Sequence, residues 1–228
     1  MYRLILVTFI SALTACGSSM DYSNSPNFNS SLNRFQHPDG DPSNKKPSEL
    51  FAMMREFSNR KYDQSEQSGF HVEFSTKEEL STFSESVIWI GQSTILLNHN
   101  GLTVLTDPQF SYRASPLVFA GPKRVTPTPF KIKDLPEIDV VLISHNHYDH
   151  LDRSSIKDLI KHQPSIKFMV PLGLAKTLHK WGAVDVTELD WWQAVEFREV
   201  EIQPTPVQHW SKRALFDRNK SLWAGWMM

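Results

Sequence analysis

The chain has 228 residues, a formal net charge of −1 and a charged fraction of 21%. That length suffices for one sizeable domain with a real core, and the balanced charge excludes the basic field that selects nucleic acid. A single cysteine, Cys16, excludes an internal disulfide framework and a thiolate zinc cage.

At the amino terminus, Met1-Tyr2-Arg3 carries a positive charge and Leu4 to Leu13 is mostly apolar. The apolar run falls short of the about 20 residues that span a bilayer, so residues 1–15 are expected to be a cleaved signal peptide. Leu13-Thr14-Ala15-Cys16-Gly17 resembles the end of a bacterial lipoprotein signal. The resemblance implies lipidation of Cys16, and two acyl chains anchor stably where one does not. An ordinary signal with a chance cysteine is the alternative. The same resemblance, with Gly17 after the cysteine, implies a place in the cell envelope, at the outer membrane facing the periplasm.

Ser, Asn, Asp and Pro dominate the next thirty or so positions, so residues 16–48 are expected to be a disordered tether. Residues 49–84 read as an extension opened by a short amphipathic helix, with Pro47 in its first turn. Its Leu50, Phe51, Met53 and Met54 are expected to pack on the domain, with a membrane-surface role as the alternative.

The folded domain is expected over residues 85–228. Val87 to Ile90 and Thr94 to Leu97 read as strands, and Asn100-Gly101 as a hairpin turn before the strand Leu102 to Thr106. Asp107, at that strand's end, is either a turn former or a carboxylate aimed into a site. A long proline-rich stretch runs from Gln109 to Glu137, of the kind that is functional or disordered. Its Lys123 and Arg124 can meet an anionic substrate or stand as a solvated basic pair. Asp139 to Ile143 reads as a buried strand. Asp152 can cap a helix with Ile156, Leu159 and Ile160 on one face. Then come a strand at Ile166 to Val170, a helix from Leu174 to Trp181 stopped by Gly182, and strands at Val184 to Val186 and Glu199 to Gln203. Strands alternating with helices imply a layered α/β fold.

The chemistry concentrates in Ser144-His145-Asn146-His147-Tyr148-Asp149-His150-Leu151-Asp152. Three imidazoles and a carboxylate within six residues, on the loop leaving a buried strand, suit Zn, Fe or Mn and a two-metal hydrolytic site. In extended backbone, residues two apart face the same side, so His145 and His147 can pinch one metal, while Asp149 and His150 can reach a second. One loop cannot complete either ion. His209, just past a strand as His145 is, is the natural third ligand of the first metal, with ordinary packing as its alternative.

His145-Asn146-His147-Tyr148-Asp149-His150 resembles the H-x-H-x-D-H signature of the metallo-β-lactamase superfamily. The words Leu105-Thr106-Asp107-Pro108, Arg113-Ala114-Ser115-Pro116, Gly121-Pro122-Lys123-Arg124, Leu189-Asp190-Trp191-Trp192 and Gln208-His209-Trp210 are closer still to one branch. They resemble N-acyl-phosphatidylethanolamine-hydrolysing phospholipase D and its bacterial relatives. That family is an αββα sandwich with a dinuclear zinc site at the edge of its sheets, and this chain would supply its amino-terminal part. The resemblance implies His145, His147 and His209 on one zinc, and Asp149 and His150 on the other. It also implies catalytic service from Asp149, His150 and Asp107, the last acting behind the ligands, and a substrate cleft walled by Trp191 and Trp192 beside Lys123 and Arg124.

Two departures accompany it. Gln92 stands where many relatives carry histidine, and the Gly-Asp-Thr and His-Trp-Gly words found later in the family do not occur here. The second zinc is therefore expected to be short of ligands and the domain incomplete, with activity belonging to a longer form. The implied function is phosphodiester hydrolysis of a membrane phospholipid such as N-acyl-phosphatidylethanolamine. Alternatives are hydrolysis of a lactone or another ester, and an inactive, truncated zinc-binding lipoprotein. Oligomeric state stays open, a homodimer included.

Overall fold

The computed structural model describes residues 21–40 and 84–228, with isolated positions between them at 48–49, 51–52, 55–56, 76 and 80. The expected signal peptide and Cys16 lie outside the described residues.

Six strands form the main sheet: β3 (Ser86–Gly91), β4 (Thr94–His99), β5 (Leu102–Thr106), β6 (Val140–Leu142), β7 (Lys167–Pro171) and β8 (Asp185–Leu189), after a small hairpin of β1 (Phe28–Asn29) and β2 (Arg34–Phe35). The order across the sheet is β3-β4-β5-β6-β7-β8. β3, β4 and β5 are antiparallel, whereas β5 to β8 run parallel. Asn100-Gly101, both at positive φ, make the β4–β5 turn as their residue types predict. The parallel strands are joined by helices α1 (Arg153–His162) and α2 (Ala175–Trp181). Asp152 caps α1, accepting from the backbone N–H groups of Ser154 and Ser155, and Gly182 at φ 110° ends α2.

Side-chain alternation along the strands sorts the core into two layers. Leu105, Val141, Ile143, Phe168 and Val170 face the helices and pack on Ile156, Leu159, Leu174 and Leu178. Leu102, Val104, Val140, Leu142 and Met169 face the other way, against Val200 and Ile202. Those two belong to a second sheet of β9 (Val195–Phe197), β10 (Val200–Thr205) and β11 (Gly225–Met227), ordered β11-β10-β9. Strands buried on both faces read as continuous apolar runs, which is why Asp139 to Ile143 shows no polar alternation. The described residues thus supply helix, sheet and sheet, three of the four layers of an αββα sandwich. No helix among them is long and apolar enough to cross a membrane.

Two expectations need correction. Residues 21–40 are not a disordered tether. Phe35 is fully buried, packed with Tyr22 and Phe28 against Trp191, Leu222 and Trp223. Ser25 and Asn27 donate to the Asp190 carboxylate at 2.6 and 2.8 Å, and Phe35 N–H donates to Asn219 C=O. Three aromatic side chains supply the burial that a polar segment otherwise lacks. Phe51, expected to pack on the domain, is 70% exposed.

The long stretch after Asp107 is ordered in two parts. Arg113 and Lys123 form an antiparallel bridge beneath a tip at residues 115–120. Phe130, Ile132, Leu135 and Ile138 then return to the helix-side core.

Candidate metal centre

The site lies beyond the carboxyl ends of β5 and β6, where α/β sheets expose their loops. The ladder continues one step past the strands, with Asp107 N–H bonded to Leu142 C=O and Ile143 N–H to Met169 C=O. Asp107 and Ser144 therefore leave the sheet side by side. Asp107 sits at φ 37°, a conformation that Asp tolerates better than most residues and that recurs at functional sites.

Its carboxylate gathers three groups. Oδ1 accepts from Ser144 N–H at 2.7 Å, and Oδ2 accepts from Ser144 Oγ–H at 2.6 Å. His150 Nδ1 lies 2.8 Å from the same Oδ2. With its hydroxyl proton given to Asp107, Ser144 Oγ is left to accept from His145 Nδ1, 2.8 Å away. Each ring proton is thus held on the nitrogen facing the sheet, and the nitrogen facing outward keeps its lone pair.

His145, His147 and His209 converge outward of this layer, their ligand atoms all within 4.8 Å of one another. His145 Nε2 lies 2.8 Å from His147 Nδ1 and 2.9 Å from His209 Nε2, and the last pair is 3.2 Å apart. Three imidazole nitrogens at such spacing cannot all be answered by shared protons, because His145 Nε2 carries none. A cation answers all three lone pairs, and an all-imidazole donor set suits Zn, Cu, Fe or Ni. The far nitrogen of His147, Nε2, is buried without a hydrogen-bond partner, a cost of about 1–3 kcal/mol borne at this one spot.

The electrostatics agree with a neutral, ligand-ready triad. Burial, reinforced by the neighbouring imidazoles, pushes His145 far below its ordinary value. Burial and then His209 lower His147 to about 4, and burial also lowers His209. His150 goes the other way. Burial alone would lower it, but the hydrogen bond and charge of Asp107, with the charge of Asp149, raise it.

The profile of the beta-lactamase superfamily domain matches residues 103–228, more than half of the chain. This chain belongs to the beta-lactamase superfamily. Its fold is the metallo-β-lactamase sandwich. Among superfamily members, "N-acyl-phosphatidylethanolamine-hydrolyzing phospholipase D 1" of Caenorhabditis elegans is 42% identical over 147 residues, 60% of this chain and 41% of that protein. The mitochondrial N-acyl-phosphatidylethanolamine-hydrolyzing phospholipase D of Saccharomyces cerevisiae is 39% identical over 144 residues, 61% of this chain and 30% of that protein. The crystal structure of CmlA, a diiron β-hydroxylase from Streptomyces venezuelae, is similar at 30% identity and a TM-score of 0.42, over 55% of this chain and 24% of that one. The chain thus spans about two fifths or less of the length of these relatives.

Within this superfamily scaffold the predicted residues distribute unevenly. His145, His147 and His209 meet, and they are the only group of three potential ligands among the described residues. Asp149 and His150 adjoin them, with Asp149 Oδ2 3.5 Å from His150 Nε2. Lys123 and Arg124 line a cavity of about 570 Å³ that also reaches Trp89, Gln92 and Asp149. Arg124 is not a free cation there, because its Nη2 donates to both the backbone and side-chain oxygens of Gln109. Lys123 is exposed on the cavity wall.

The two tryptophans do not wall this cleft. Trp191 is 5% exposed, its indole N–H donates to Trp223 C=O at 2.5 Å, and it belongs to the cluster under the amino-terminal hairpin. Trp192 turns outward at φ 68° and lines neither cavity beside the metal loop.

Three contributors escape a reading of the sequence. Ser144 orients His145, and its only signal is a hydroxyl between a buried strand and the histidine run. Gln92 donates to Asp149 Oδ2 at 2.9 Å, although the sequence alone attaches little weight to it. Trp210 stacks edge-on against His147 with ring centroids 4.3 Å apart, signalled only by adjacency to His209.

Proposed function

We propose that the protein is a zinc-dependent hydrolase of the phospholipase D type, acting on the phosphodiester of N-acyl-phosphatidylethanolamine or a similar lipid. The observation that carries this reading is the convergence of His145, His147 and His209 beside two further donors of the same loop, His150 and the cavity-lining Asp149. The similarity to two phospholipases D named for this substrate supports it.

His145, His147 and His209 would hold one zinc, and Asp149 and His150 would contribute to a second. Bound there, the metal supplies Lewis acidity and lowers the pKa of water towards neutrality. The chain's own residues do the rest. Asp107 and Ser144 fix the ring orientations of His150 and His145. Gln92 holds the Asp149 carboxylate by one oxygen. The cavity offers the apolar surfaces of Trp89 and Val125 to lipid chains, and Lys123 a positive charge to the phosphate. Lipidation of Cys16 would keep the protein in the cell envelope beside its substrate.

Metal analysis of the longer form to which activity is expected to belong, followed by its incubation with vesicles containing N-acyl-phosphatidylethanolamine, tests the reading. Zinc in the protein and release of phosphatidic acid are expected. Intact lipid with fully metallated protein overturns the substrate, and iron in place of zinc overturns the metal.

A further inference from the structure

Arg213 lies four residues beyond His209, on the segment between β10 and β11. From there it reaches into the loop that carries the other ligands. Its Nη1 donates to Asn146 C=O at 3.0 Å and to Leu151 C=O at 2.6 Å. The first carbonyl sits between His145 and His147, the second directly after His150. One guanidinium nitrogen thus closes residues 146–151 into a ring that contains His147, Asp149 and His150.

The contact is reciprocal. Tyr148, at the crown of that loop, donates its phenol O–H to Arg213 C=O at 3.0 Å. Its ring lies under the guanidinium, 4.0 Å from Cζ to centroid, with Trp181 at 5.2 Å on α2. A planar guanidinium stacked on an aromatic face while its N–H groups engage carbonyls is a geometry lysine cannot reproduce. At its base, Arg213 N–H donates to the Asp217 carboxylate at 3.0 and 3.1 Å, which fixes the backbone that presents it.

We infer that Arg213 is a positioning residue for the metal centre, locking the His209 segment to the His145–His150 loop so that ligands from two distant stretches share one geometry. His209 reaches the site across 64 residues of sequence from His145. Without a lock between the two stretches, small rotations of either would separate its nitrogen from the other two. Orienting contacts of this kind govern metal affinity by about 10- to 100-fold.

This inference rests on the metal centre proposed above, and the test separates the two. Zinc affinity of the full chain is measured by competition with a chromophoric chelator for the parent, Arg213→Ala, Arg213→Lys and Tyr148→Phe. The visible spectrum of the cobalt(II)-loaded forms is recorded beside it. Arg213→Ala is expected to weaken zinc binding at least tenfold and to alter the cobalt spectrum, with partial recovery on adding millimolar guanidinium. Arg213→Lys keeps the charge but not the stacked fork, so it should recover less than half of the loss on a logarithmic scale. Leu102→Ala, at the amino-terminal end of β5 and in the other core layer, controls for general destabilisation and should leave zinc affinity within twofold. Parent-like affinity and spectrum in Arg213→Ala, or in Arg213→Lys should the alanine variant not fold, overturn the inference alone. A parent chain that takes up no metal overturns the proposed function, and the inference with it.

Discussion

Asp107 Oδ2 and His150 Nδ1 lie 2.8 Å apart, brought together from positions 43 residues distant in sequence. The bond decides which nitrogen of His150 faces Asp149 and which faces the sheet. The same oxygen takes the Ser144 hydroxyl proton and so fixes His145 as well. Asp107→Ala removes the acceptor common to both rings. Its expected effect is metal binding weakened by about 10- to 100-fold, measured by chelator competition. The His150 imidazole, relieved of its raising partner, should also titrate at lower pH by NMR.

Ser144→Ala separates the two halves of that network. His150 keeps its carboxylate, whereas His145 Nδ1 loses the hydroxyl that accepts its proton. A neutral hydrogen bond of this kind contributes about 1 kcal/mol, so metal affinity should fall roughly fivefold, less than for Asp107→Ala. An equal or larger loss would place the orienting weight on the hydroxyl instead.

The pH dependence follows from the neutral triad. His145, His147 and His209 all sit below the ordinary 6.5, with His147 at about 4. Between those two values the unfolded chain binds more protons than the folded one, so stability of the metal-free protein falls as pH drops through that window. His150, raised by Asp107, contributes in full below 6.5 and fades only as pH rises through its folded value, so its contribution is constant across that window. The melting midpoint of metal-free protein should therefore decline from pH 6.5 to 4, and a flat profile there would count against the neutral triad.

Phe35→Ala tests the docked hairpin. Removing a fully buried phenylalanine costs about 3 kcal/mol or more, concentrated where Tyr22, Phe28 and Trp223 surround it. Hydrogen exchange should show amides of residues 25–36 losing protection while β4 to β7 keep theirs. Uniform loss across the sheet would mean that the hairpin and the domain unfold as one unit.

Lys123 faces the cavity as an exposed cation, so its contribution to an anionic substrate is screened, about 1 kcal/mol or less. Lys123→Ala should raise KM up to about fivefold with kcat little changed, the signature of lost uniform binding. A loss confined to kcat would place the charge at the reacting centre instead.

The six strands of the main sheet, β10, both helices and the metal loop are legible in the sequence because each is encoded locally. Apolar runs mark strands buried on both faces, Asp152 and Gly182 punctuate the helices, and ligand density marks the loop. What escapes is encoded only in three dimensions. Tyr22, Phe28 and Phe35 are isolated apolar residues in a polar stretch, and nothing nearby shows that they meet Trp191 and Trp223. That docking also explains the misplaced tryptophans. Trp191 and Trp192 are consecutive beyond a strand, so one points in and the other out, and the inward one is taken by the hairpin. Gln92 and Ser144 carry no chemistry of their own, and matter only through the ligands they touch.

The docked hairpin shortens the leash between the domain and its proposed lipid anchor. A free segment from Cys16 to residue 48 would let the catalytic rim roam over a wide shell of solvent. With Tyr22 held against the domain, only six residue steps separate it from Cys16. Fully extended, they reach about 20 Å. An acylated Cys16 would then hold the rim of β7 and β8 at grazing height above the bilayer, and the enzyme would search for lipid in two dimensions rather than three.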